Sequence, residues 1–138
     1  MYIKLKAEVQ NIIICNKEVA IADNQPAAIY SMNNMKVLGE GYLALVNRGG
    51  HGLRATELEV CGAHIYADVS HDAIHGSQKL LIDWGYFYTT ACNNMFDTNG
   101  TGFYFGGIIH SESVHSGKLF DGVYNNPING LYYDTYDT

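Results

Sequence analysis

The residues whose types and spacing come nearest to chemistry are Asp68, His71, Asp72 and His75. A short helix over Ser70–Gly76, with Ser70 as N-cap and Gly76 just past its end, would set His71 and His75 one turn apart on one face. Two neutral imidazoles so placed, with the Asp68 carboxylate as third ligand, make a candidate site for Zn²⁺ or another first-row metal. By extension the chain would be a metal-dependent enzyme using His71 and His75. The protease pattern with Glu directly after the first His is not met, because Asp72 stands there and Ala73 follows. Gly76 would also end the helix before it could hold ligands rigidly.

Other constellations are weaker. His110, Ser111, Glu112, Ser113 and His115 compose a Ser/His/acid set, but the Gly-x-Ser-x-Gly turn that presents a nucleophile is missing. Arg48-Gly49-Gly50-His51-Gly52 is glycine-rich beside a cation. A phosphate cradle needs a helix to follow, whereas a strand is expected here, so this reads as a hairpin loop. No cofactor is implied. Trp84, Tyr86 and Tyr88 are candidate ligand-binding aromatics. Tyr124, Tyr132, Tyr133 and Tyr136 suit a sugar platform or a subunit interface. The interface is favoured, because tyrosine has an apolar body and a hydrogen-bonding tip.

The elements that must position these residues are strands. Leu80, Ile82, Trp84, Tyr86 and Tyr88 alternate with Leu81, Asp83, Gly85, Phe87 and Thr89, and period two marks a strand. Asn99-Gly100 offers the positive φ angles of a tight hairpin turn, with Phe103–Ile109 as the returning strand. Hairpins are likewise expected over 36–60 and 119–136, and a half-buried strand over Tyr2–Val9. Turn signals every eight to twelve residues or so suit a sandwich or barrel. The expected fold is all-β and mainly antiparallel: a β-sandwich, jelly roll or small barrel with at most one or two short helical turns. It would form a single domain, 1–138, whose C-terminal hairpin, about 119–138, contributes to an interface.

Composition narrows the function. The net charge is −6 and no Lys/Arg cluster exceeds Lys4 and Lys6, which argues against nucleic acid and anionic membrane as partners. The N-terminus alternates, so neither a signal peptide nor a membrane span is expected. Three cysteines without CxxC spacing argue against a disulfide framework and a structural zinc site. Charged residues make up 16%, against about 25% in ordinary domains. A low-charge chain with 15 Gly and 11 Tyr resembles surface and adhesive proteins in its palette. Without an export signal, that points to a non-enzymatic structural protein that self-assembles into a homo-oligomer such as a trimer. A bacteriophage virion component (head fibre, capsid decoration or tail-tip module) assembled in the host cytoplasm would fit, with other virion proteins or glycans as partners. Outside a virus, the cytoplasm is the expected location. The alternative is a carbohydrate- or small-ligand-binding β-sandwich.

Overall fold

The alternating segments wind into a coil instead of folding back as hairpins. The computed structural model describes residues 1–15, 26–112, 117–126, 128–129 and 131–135. Its strands are β1 (Tyr2–Lys4), β2 (Gln10–Cys15), β3 (Ala27–Leu38), β4 (Tyr42–Asn47) and β5 (His51–Val69), then β6 (Ile74–Ala91), β7 (Phe96–Tyr104), β8 (Gly107–Ser111), β9 (Phe120–Asn125) and β10 (Leu131–Thr135). Every strand pairing is parallel. Strands stack in the order β1-β3-β5-β6-β7-β9, and β2-β4-β5-β6-β8-β10 continue the same sheet. The result is a β-solenoid of about four turns. Coils β3–β4, β5, β6 and β7–β8 make the body, between the shorter β1–β2 and β9–β10.

Each coil bends twice and so has three straight arms. In β5 these run over residues 51–55, 57–61 and 63–69, and the next coil repeats them in β6. The first bend coincides with register shifts at Ser31/Asn34, Ala55/Glu57 and Asp97/Gly102. The second falls at glycine: Gly39 and Gly62 both have φ +91°. At Gly39 a Cβ would also lie 2.2 Å from the Leu5 carbonyl oxygen, so the bend needs both the left-handed backbone and the missing side chain.

Inward residues stack in columns along the solenoid. Val37, Val60, Ile82 and Tyr104 form one column, and Leu43, Ile65, Phe87 and Ile109 another, all buried. Each side chain is worth about 1.5–3 kcal/mol removed from water. Phe96 meets Phe87 edge to face at 4.9 Å, which fixes the third arm against the first.

Several sequence expectations are overturned. The antiparallel sandwich, jelly roll or barrel is replaced by an all-parallel solenoid, because each strand's partner is the arm one coil later, not the adjacent segment. Asn99-Gly100 is the first bend within β7, where Gly100 packs so tightly that a Cβ would lie 2.0 Å from the Gln78 carbonyl oxygen. Residues 48–50 join β4 to β5, which run parallel, and β9 and β10 pair with β7 and β8 instead of with each other. Residues 70–73 are a corner and Ile74 opens β6, so the Ser70–Gly76 helix is not formed. The alternation of 80–88 also changes phase. Leu80 and Ile82 face inward, but beyond the bend at Asp83–Gly85 it is Phe87 and Thr89 that are buried, and Tyr86 and Tyr88 turn outward. No helix among the described residues is long and apolar enough to cross a membrane. Cys15, Cys61 and Cys92 are free thiols, Cys92 buried.

Candidate functional site

The third corner, between the third arm of one coil and the first arm of the next, brings together His51, His71 and His75. Asp68 is not part of that group: it faces outward on the third arm and pairs with Arg48 at 2.9 Å. His71 stands on the corner with Nδ1 3.0 Å from Ser70 Oγ. His75 is buried at the start of β6, where it meets His51, Asp72 and Asp97. The expected ligand trio of Asp68, His71 and His75 thus gives way to His51, Asp72 and His75, whose ligand atoms lie within 4.8 Å of one another.

The hydrogen bonding assigns protons in this cluster. His51 Nδ1 accepts from the Asp72 backbone N–H at 3.2 Å, so it carries a lone pair. Burial lowers the His51 pKa to about 4 although the Asp72 carboxylate opposes it, so the ring is neutral at pH 7. His75 Nδ1 donates to Asp97 Oδ2 at 2.5 Å, with Asp72 Oδ2 at 3.4 Å. Burial would lower its pKa too, but the two carboxylates outweigh burial and raise it to about 9. Burial likewise pushes Asp72 up, yet His75, His51 and the Asn94 N–H at 3.1 Å hold its carboxyl below the usual range. The two imidazoles stack at 4.8 Å with 27° between planes. With His75 Nδ1 protonated and bound to Asp97, this arrangement is an ion-pair ladder joining three coils.

The Ser/His/acid set is dispersed as well. Ser111 is buried while His110 faces out from the same strand, and Ser113 and His115 lie outside the described residues. Of the expected interface tyrosines, Tyr124 is exposed, Tyr132 and Tyr133 lie on β10, and Tyr136 is outside the described residues.

The outward face of the third arm is different in character. Because parallel strands stack in register, side chains at equivalent positions form columns. Tyr42, His64, Tyr86 and Ile108 make one, and Ala44, Tyr66, Tyr88 and His110 make its neighbour two residues along. His64 stacks on Tyr86 at 4.1 Å and 9°, and Tyr42 on His64 at 4.4 Å. Tyr88 stacks on His110 at 4.7 Å and 5°, and Tyr66 on Tyr88 at 5.4 Å. Tyr66 Oη is 2.9 Å from Thr90 Oγ1, and Tyr88 donates to Glu112 Oε1 at 2.7 Å, so both rings are fixed at their tips. Partial burial keeps the His64 pKa below its ordinary value and the ring neutral at pH 7, so the stack carries no charge there. Between the columns runs an open, mainly apolar groove of about 340 Å³, which begins at Gln10 and Ile12 on β2. Trp84 stands at the adjoining bend, edge-on to Tyr86 at 6.2 Å.

A family model for carbohydrate-binding domain-containing proteins matches residues 1–119. The chain belongs to that family. The match spans β1 through β8 and so includes the whole described groove. No curated protein and no solved structure matches the chain. Of the aromatics singled out from sequence, Tyr86 and Tyr88 lie in this family member's groove and Trp84 beside it. Tyr42, His64, Tyr66 and His110 were not anticipated. The signal for them is a recurrence at 22 residues, the separation between coils seen in the Cys61–Asp83 and His75–Asp97 contacts. Stepping by that interval from Tyr86 reaches His64 and Tyr42, and from Tyr88 reaches Tyr66 and His110.

Proposed function

We propose that the chain is a non-catalytic binding module that holds a glycan in the groove between the two aromatic columns of the third arm. The observation that carries this reading is the pair of in-register aromatic stacks lining one open groove, the second braced by hydrogen bonds at its tyrosine tips, in a member of a carbohydrate-binding domain family. Pyranose rings have apolar C–H patches and a rim of hydroxyls. The groove offers apolar ring edges along its walls and phenol and imidazole tips at its margins. The rings are held by their neighbours and tip contacts, so little side-chain entropy is lost on binding. The same composition that suggested a self-assembling virion protein follows from this architecture, since bends require glycine and the exposed columns are rich in tyrosine.

The test is affinity gel electrophoresis against a panel of soluble polysaccharides: β-glucan, xylan, mannan and galactan. At least one should retard the wild-type protein. Tyr86→Ala should then weaken binding about tenfold, the equivalent of roughly 1.4 kcal/mol for a lost ring contact. Tyr2→Ala, on the outer face of the second arm, should leave it unchanged. Retardation by none of the panel, or full binding by Tyr86→Ala, would contradict the reading.

A further inference from the structure

The second column is interrupted. Its members are Ile12, Ala44, Tyr66, Tyr88 and His110, so a methyl group occupies the layer directly beneath Tyr66. Parallel strands are about 4.8 Å apart, the spacing that lets one flat ring occupy each layer of a stack. From Ile12 to Tyr66 is two such layers, roughly 9.6 Å, with only Ala44 between. The upper face of Tyr66 is covered by Tyr88, at 5.4 Å, whereas its lower face opens over Ala44. The notch has apolar walls: Ile12 below, Tyr66 above, Tyr42 on one side along the strand and Val46 on the other. Ile12 is 64% exposed and Tyr42 43%, unusual for large apolar side chains that have a neighbour to pack on.

We infer that this notch is a subsite for one terminal pyranosyl residue of the glycan, slotted into the column at the level of Ala44. The inference rests on the glycan-binding reading above. A sugar ring with equatorial hydroxyls presents an apolar face of axial hydrogens, which lies against the open face of Tyr66, and Ile12 closes the other side. Tyr42 and Val46 bound the notch along the strand, so the ring enters edge-on and a single edge faces solvent. One glycosidic linkage can leave by that edge and two cannot. The subsite therefore selects chain ends and branch tips over internal residues.

The test fills the notch. Ala44→Tyr continues the column with a ring that stacks on Tyr66, so the fold is retained, which circular dichroism and an unchanged melting temperature would confirm. With the polysaccharide from the panel that retards the wild-type chain, Ala44→Tyr should bind at least tenfold more weakly. Tyr66→Leu, which removes the open face, should lose as much, and Tyr2→Ala, remote from the groove on the outer face of the second arm, should bind as the wild type does. The methyl glycoside of the polysaccharide's terminal sugar should compete with it. If the wild type binds and Ala44→Tyr binds equally, the notch is overturned and the groove reading stands. If the wild type binds and the methyl glycoside does not compete, selection of the terminal residue is overturned. If no polysaccharide binds, both readings fall.

Discussion

Replacing His75 with glutamine removes the one cation from a buried cluster and leaves the Asp72 and Asp97 carboxylates facing each other. The His75 ring stands at about pKa 9 in the fold against 6.5 outside it, a difference worth about 1.36 kcal/mol per unit. The unscreened total is about 3 kcal/mol, and allowing for solvent that reaches part of the cluster brings it to about 2 kcal/mol. Breaking a buried ion pair costs about 3–5 kcal/mol by another route, so a loss of 2–4 kcal/mol brackets the expectation. The sign follows from the raised pKa. The folded state holds its proton more tightly than the unfolded state, so the stabilisation is complete below pH 6.5 and drains away as the pH rises through 9. Urea denaturation of the wild type at pH 6 and pH 9 should show that loss. His75→Gln should be destabilised at pH 6 and nearly level between the two pH values. A wild type equally stable at both, or a variant within about 0.5 kcal/mol of wild type at pH 6, would refute the ladder as a source of stability.

Two further outcomes are expected of the coil itself. Gly39→Ala should cost about 1–3 kcal/mol by urea denaturation, because φ is +91° there and the new Cβ would meet the Leu5 carbonyl oxygen. Tyr104→Phe should be neutral or stabilise by up to about 1 kcal/mol, since among the described residues its buried hydroxyl has no hydrogen-bond partner.

Alternation in the sequence reports which side chains can share a face, but not which strand lies alongside. Leu58 and Val60 are buried and Glu57 and Glu59 are not, as period two requires. The same rule misplaced Tyr86 and Tyr88 beside Leu80 and Ile82, because a bend at Gly85 shifts the phase by one residue. Asn99-Gly100 and Asn125–Gly130 carry the chemistry of reversing turns. A solenoid uses similar residues for shallower bends, and only the distant partner tells the two apart. Gly39, Gly62, Gly85 and Gly107 recur at nearly one coil's interval, and Tyr42, His64 and Tyr86 follow the first three closely while recurring at 22 residues themselves. That periodicity held both the fold and the groove. Local turn chemistry hid it, since tight hairpins and coil bends draw on the same glycines and asparagines. The His51–His75 cluster was beyond local reading for the same reason: its members come from successive coils, not from one helix.

The central claim is that glycan meets the outward face of the third arm. The most direct measurement is an aromatic ¹H–¹³C NMR titration of the full chain with a polysaccharide that retards it. The account predicts shifts concentrated on Tyr42, His64, Tyr66, Tyr86, Tyr88 and His110, while buried Phe96 and exposed Tyr124 stay in place. Shifts centred instead on Tyr2, Phe103 and Tyr124, with the third-arm columns unmoved, would contradict it.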